Sequence, residues 1–253
     1  MLYDAAFHTQ VVWALFVVAA ITFTALLLIS APYGRHARGG WGPMIPSRIG
    51  WVVMESPSVL VFAAVFWGGD HRAEVVPLVF LALWQLHYFH RTCIFPFRLR
   101  SKGKEMPALI ALLAFVFTTI NAWINALWIS HLGSYHASWL SDPRFLVGAA
   151  LFLAGWAINV HADTVLINLR KPGETGYKVP KGGFYRWISC PNYFGEIVEW
   201  IGWAIATWSL AGLAFAVYTA ANLAPRAFTH HRWYIETFDD YPEARRALIP
   251  YVV

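Results

Sequence analysis

The stretch YFGEIVEWIGWAIATWSLAGLAFAVYTAANLA, Tyr193–Ala224, places two carboxylates, Glu196 and Glu199, in an otherwise apolar run. As one straight helix it would extend roughly 48 Å at 1.5 Å per residue, whereas about 20 residues cross a hydrocarbon core of about 30 Å. One crossing cannot hold it. Ser209-Leu210-Ala211-Gly212 offers a turn near the middle, so the stretch reads as two shorter helices. Upstream, Val11–Ser30, Trp51–Trp67, Val75–Phe95, Pro107–Ser130 and Phe145–Leu166 read as five more spans, seven in all.

Charge placement tests that division, because Lys and Arg collect on the cytoplasmic side of a membrane protein. Sixteen of the 19 basic residues fall after spans one, three and five and in the tail: Arg35, Arg38, Arg48; Arg98, Arg100, Lys102, Lys104; Arg170, Lys171, Lys178, Lys181, Arg186; Arg226, Arg232, Arg245, Arg246. The opposite loops hold Arg72 and Arg144, and Arg91 lies inside a span. An odd number of crossings is required, with the N-terminus non-cytoplasmic and the C-terminus cytoplasmic. The reading is an all-α, multi-pass integral membrane protein of a bacterial inner membrane or the endoplasmic reticulum, residues 1–253 forming a single membrane-embedded domain. Composition agrees: 58% hydrophobic and 13% charged residues cannot build a solvated surface, for which roughly 25% charge is usual. The net charge of +5 lies in short loops beside apolar spans, which argues against nucleic acid as a partner. Met1–Gln10 contains no Lys or Arg, so span one is expected to be retained rather than cleaved as a signal.

Polar groups inside the spans are the candidates for chemistry, since an intramembrane carboxylate is costly. Glu55 precedes Pro57, which frees a backbone carbonyl in span two. In His87-Tyr88-Phe89-His90-Arg91, helical spacing puts His87, His90 and Arg91 on one face, with Tyr88 about 100° away. With Glu55 on the preceding helix, Tyr88 has a carboxyl partner, and such a pair is a good electrophile for a carbonyl that becomes an enolate. Asn159 and Asp163, four apart, face the same way. The following loop combines glycines, five basic residues and a helix start after Pro191, which suits an anion, although such a loop is more often a solvated connector. No Walker or Rossmann fingerprint occurs, nor CxxC or HExxH, and no metal site is expected. Cys93 and Cys190 lie on the cytoplasmic side, where a disulfide is not expected.

Taken together, Glu55-Ser56-Pro57, His87-Tyr88-Phe89-His90-Arg91, Asn159-x-x-x-Asp163, Leu169-Arg170-Lys171-Pro172-Gly173-Glu174, Asn192-Tyr193-Phe194-Gly195-Glu196 and Arg226-Ala227-Phe228-Thr229-His230-His231-Arg232-Trp233-Tyr234 resemble the steroid 5-alpha-reductase family. The tail Phe238-Asp239-Asp240-Tyr241-Pro242 and Ala247-Leu248-Ile249-Pro250 is similar as well. The resemblance implies a seven-helix enzyme that uses NADPH to reduce the Δ4 double bond of 3-oxo-Δ4 steroids. It implies that Glu55 and Tyr88 hold the C3 carbonyl while hydride goes to C5. By the same similarity Asn159, Asp163, Asn192, Tyr193 and Glu196 line the nicotinamide-ribose end of NADPH. Arg170, Tyr177, Arg226, His230, Tyr234 and Arg245 hold its phosphates and adenosine, with Tyr33, Arg35, Arg91 and Lys104 as further contributors. The cofactor-binding part is thus mainly 159–253. Lys104 stands where the family pattern suggests Arg, and Lys lacks the bidentate fork.

Trp51, Phe117, Trp200 and Trp203 are candidate apolar walls for a steroid entering from the lipid bilayer, and no obligate protein partner is evident. Three alternatives stand beside this reading: a membrane S-adenosylmethionine-dependent methyltransferase of the isoprenylcysteine type, a reductase of another lipid double bond, and a transporter. The methyltransferase leaves Glu55 and Tyr88 without a role.

Overall fold

The computed structural model describes residues 4–32, 34–36, 38–99, 103–170, 174 and 176–253. Helix α1 (Ala5–Leu28) starts at Asp4, whose side chain accepts the Phe7 N–H at 2.7 Å and so satisfies one free amide of the first turn. Only Val12, Leu15 and Ala19, with His8, face inward, while the outer face leaves Leu28 79% exposed. The same pattern recurs on the next long helix, where Leu60 is 66% exposed. A belt of large exposed aliphatic side chains is what a hydrocarbon surround stabilises and water does not.

A short antiparallel ribbon then fixes two helices side by side. Strand β1 (Met44–Pro46) pairs with β2 (Glu105–Pro107), Ile45 opposite Met106. It leads directly into α2 (Ser47–Gly68) and α5 (Ala108–Leu127). The bonds Ser47 N–H to Lys104 O (2.9 Å) and Ala108 N–H to Pro43 O (2.8 Å) extend the ribbon to the first helical residues. Both helices start at the ribbon and run in one direction: Thr118 Oγ1 of α5 donates to Met54 O of α2 at 2.7 Å, and His71 N–H, past the end of α2, donates to Ser130 O past the end of α5 at 2.8 Å. The all-α expectation omits this ribbon, which is too short to show a period of two.

Between them lie α3 (Val75–Phe89), a π-helical turn (His90–Ile94) and α4 (Phe95–Arg98). Pro96 explains the irregular turn: it has no N–H to close onto Thr92, and the Phe95 N–H bonds instead to His90 O, five residues back. After α5 a second π-helical turn, Trp128–Leu132, precedes α6 (Pro143–Asn168), capped by Asp142. Helices α7 (Pro191–Thr207) and α8 (Leu210–Thr237) divide the long apolar stretch at Trp208, whose φ is 46°. Ser209 caps α8 by accepting the Gly212 N–H at 2.9 Å, so Leu210–Gly212, expected as the turn itself, is the first turn of α8.

Helix α6 meets α7 along a seam of small residues, Gly148 and Gly155 against Gly195 and Gly202. A Cβ on Gly155 would run into the backbone of Gly195 and Glu199, and one on Gly195 would come 2.6 Å from Asn159 N. Gly155→Ala is therefore expected to destabilise the protein by about 1–3 kcal/mol through overpacking, read as a lowered thermal midpoint in detergent.

A helix falls on each of the expected spans. By length and apolarity alone four of the described helices qualify to cross a membrane: α1, α2, α5 with its π turn, and α6. The remaining three are irregular or polar at an end. Helix α3 has 15 residues before its π turn, α7 has 17, and the 28-residue α8 carries Arg226, Arg232 and Glu236 in its second half.

Candidate functional site

The site begins with Pro57. Lacking an N–H, it leaves Val53 O without its helical partner, and Ser56 Oγ takes that acceptor at 3.0 Å. Farther along α2, Ser58 O accepts from Trp84 Nε1 at 2.8 Å and Val59 O from Gln85 Nε2 at 3.2 Å. Since α2 and α3 run in opposite directions, one turn beyond Trp84 on α3 is one turn before Ser58 on α2. That register places Tyr88 and Glu55 on facing turns of α3 and α2, with no hydrogen bond between them. The Tyr88 ring is buried among Trp84 (4.8 Å), His87 (4.8 Å) and Trp200 (5.6 Å).

Toward the ribbon end, a connected polar layer follows. Arg91 Nη1 lies 3.1 Å from Asp163 Oδ2, both buried, and Asn192 Nδ2 donates to Asp163 Oδ1 at 3.0 Å. Asn159 Nδ2 donates to Asn192 O at 2.9 Å and to Glu196 Oε2 at 3.2 Å. The expectation that Asn159 and Asp163 share a face holds, with Asn192 as the bridge between them. Arg91 is bracketed by Trp51 (5.0 Å) and Phe95 (4.6 Å), so Trp51 packs on this cation.

The run His87–Arg91 departs from its expected single face. His87 pairs with Glu199 of α7 at 2.8 Å, Arg91 turns to Asp163, and His90 lies against Trp156 with its Nε2 unpartnered. The π turn that starts at His90 adds a residue to the helical register of the segment that follows it. Spacing within α3 does not identify Glu199 as the partner of His87. The signal was the carboxylate itself, three residues beyond Glu196 in an apolar helix.

At the ribbon end of the bundle the basic residues gather on aromatic rings. Arg35 sits over Trp233 (4.4 Å), Tyr234 (4.6 Å) and Tyr177 (5.5 Å) and donates to Tyr234 Oη at 3.2 Å. Arg226 donates to Tyr193 Oη at 2.8 Å, which lies 3.2 Å from His230 Nε2, and His230 Nδ1 is 3.2 Å from His36 Nε2. Arg245 is 5% exposed and lies over Tyr241 at 5.2 Å. It is held there by a tail that pairs with the chain before α7: Ser189 N–H donates to Arg246 O and Cys190 N–H to Ala247 O. Arg170 lies over Tyr177 and donates to Gly176 O at 3.1 Å, while Lys104 is exposed at the ribbon. Tyr33 lies outside the described residues, as do Arg100, Lys102 and Lys171-Pro172-Gly173.

This end is electrostatically prepared for an anion. Burial, then the charges of Arg35, Arg38 and Arg226, hold the His36 imidazole below its ordinary pKa. Partial desolvation of its ammonium at the ribbon, then the charge of Arg170, likewise lower the pKa of Lys104, whose side chain is otherwise exposed. Among the described residues, Arg35 Nη1 and Arg245 Nε and Nη1 are buried donors without a partner. Unsatisfied guanidinium N–H groups in a cationic cluster fit the phosphates of a dinucleotide, and the rings beside them fit its flat base.

The family described as 3-oxo-5-alpha-steroid 4-dehydrogenase matches residues 104–253. The chain is 46% identical over 237 residues to 3-oxo-5-alpha-steroid 4-dehydrogenase 1 of Bos taurus, covering 92% of each chain. It is 42% identical over 243 residues to the steroid 5-alpha-reductase DET2 of Gossypium hirsutum, covering 94% of each. Against 3-oxo-5-alpha-steroid 4-dehydrogenase 1 of Homo sapiens the identity is 42% over 222 residues, 87% of this chain and 85% of the other. Identity of this extent spans α2 and α3 as well as the C-terminal cation cluster, and the chain belongs to the 3-oxo-5-alpha-steroid 4-dehydrogenase family.

Proposed function

We propose that this protein is an NADPH-dependent membrane reductase that converts 3-oxo-Δ4 steroids to 5α-reduced 3-oxo steroids. The observation that carries the reading is Tyr88 on the turn of α3 that faces Glu55 of α2, enclosed by Trp84, His87 and Trp200, with the Arg91–Asp163–Asn192 network next along the bundle. NADPH, when bound, supplies the hydride that C5 receives. Arg35, Arg226 and Arg245, with Tyr193, His230 and Tyr234, hold its phosphates and base. Asn159, Asp163, Asn192 and Glu196 line the end nearest Tyr88.

Tyr88 donates its hydroxyl proton as a hydrogen bond to the C3 oxygen of the steroid, and Glu55 orients that hydroxyl. As C5 is reduced, negative charge moves to the C3 oxygen, and a donor fixed in advance in apolar surroundings stabilises it until C4 takes a proton that derives from solvent. Burial of the Tyr88 ring keeps competing water away from that oxygen. The steroid reaches the site sideways from the bilayer, so no water-facing entrance is required. Purified protein in nanodiscs is expected to convert testosterone to its 5α-dihydro product with NADPH; binding of S-adenosylmethionine without steroid turnover would reject the reading.

The same proposal includes seven crossings, with α3 continued through α4, α7 and α8 joining the four apolar helices. Support comes from the sixteen basic residues assigned to one side against Arg72 and Arg144 on the other. Reporters fused to the two ends are expected to report opposite sides of the membrane, the C-terminal one cytoplasmic. Both ends on one side would require an even number of spans.

A further inference from the structure

Outside the polar network and the cation cluster, one buried ionisable pair has no part in the mechanism above: Glu199 of α7 and His87 of α3. Glu199 is 0% exposed, and its Oε1 lies 2.8 Å from His87 Nδ1, while its Oε2 has no partner. It stands one turn deeper along α7 than Glu196, which already belongs to the Asn159 network. Taking such a pair out of water is expensive, and apolar residues of similar volume commonly stabilise a fold as well or better. Stability therefore does not account for an acid at this position.

Its neighbours do. His87 meets the Tyr88 ring edge-on at 4.8 Å and the Trp200 ring edge-on at 4.8 Å, and Trp200 in turn lies 5.6 Å from Tyr88. Of the three rings that enclose Tyr88, His87 is held by its bond to Glu199, while Trp200 packs on Phe215 at 4.1 Å and Trp84 at 5.4 Å. Trp84, the third ring, is fixed independently through Ser58 O. Rotation of the His87 imidazole away from α7 would open the enclosure on the side that Trp84 does not cover.

We propose that Glu199 is a positioning residue for Tyr88, acting through His87, so that the phenol is aimed at the C3 oxygen before the steroid arrives. The inference rests on the reading of Tyr88 as the electrophile. It predicts that the pair is dispensable for folding and cofactor binding but not for turnover.

The test replaces both groups at once, Glu199→Leu with His87→Phe, which leaves no buried charge unpaired and keeps a ring beside Tyr88. Thermal midpoint and NADPH affinity are expected to stay near wild type, with the testosterone KM little changed and kcat lower on the order of 100-fold, as for a misplaced reacting group. In a Tyr88→Phe background the same double change is expected to produce no further fall. Glu199→Gln, whose amide oxygen accepts from the imidazole, should retain most turnover. If the double variant does not accumulate, His87→Phe alone carries the same cycle, with His87→Asn, which keeps a donor at the Nδ1 position, as the rescue. Wild-type kcat in the apolar variant, or an equal further loss when Tyr88 is already Phe, overturns the inference. Near-normal turnover by Tyr88→Phe alone overturns the electrophile reading itself, and the inference with it.

Discussion

Tyr88→Phe is expected to lower kcat for a 3-oxo-Δ4 steroid by about 10²–10³-fold, the usual loss when one donor to a developing oxyanion is removed. The phenol hydroxyl is the only group deleted, and the ring contacts with Trp84, His87 and Trp200 remain. Folding and NADPH affinity should therefore be unaffected, and steady-state kinetics with an NADPH titration separate the two. Glu55→Ala should reduce turnover comparably, and the double variant little beyond the worse single one, because members of a catalytic unit are not additive. Glu55→Gln distinguishes roles: partial activity there means that Glu55 acts as a hydrogen-bonding group, since an amide still bonds but does not ionise.

The second large effect is expected at the cofactor end. Arg245→Ala should weaken NADPH binding by about 1.5–3 kcal/mol, roughly 10- to 100-fold in Kd, through loss of charge-assisted bonds to phosphate. Its Nε and Nη1 are buried and uncommitted, so no internal bond has to break before they engage the ligand. Arg170→Ala should weaken binding less, because that guanidinium already donates to Gly176 O and stacks on Tyr177. Fluorescence titration at two salt concentrations reads both variants, and the loss in Arg245→Ala should shrink as salt screens the phosphates. An unchanged Kd in Arg245→Ala removes this residue from the site.

Much of this arrangement was legible because apolar length and isolated charge are strong signals in a membrane chain. The length of Tyr193–Ala224 demanded a break, and Ser209 supplies the cap that makes one. Glu55, Tyr88, Arg91, Asn159 and Asp163 were visible as polar groups in apolar runs, and opposite helix directions bring the first two together. What stayed hidden depends on which helices face one another. His87 and Glu199 are 112 residues apart, and nothing in either segment names the other. The π turn His90–Ile94 shifts the register of α4 against α3 by one residue, a change that helical spacing does not anticipate and for which Pro96 was the local sign. The β1–β2 ribbon, three residues on each side, falls below any detectable alternation, yet it sets α2 and α5 parallel. Arg35 was expected at the cofactor, but its cage of Tyr177, Trp233 and Tyr234, which joins the segment after α1 to the far end of the chain, was not legible in the sequence.

The most direct test of the account traces the hydrogen. Testosterone is incubated with the purified protein and NADPH carrying deuterium at its transferable nicotinamide position, and the product is read by mass spectrometry and NMR. The account predicts a 5α-dihydro steroid with one deuterium at C5 and none at C4, formed by wild type and, far more slowly, by Tyr88→Phe. Deuterium at another carbon, an unlabelled product, or a 5β product would contradict it.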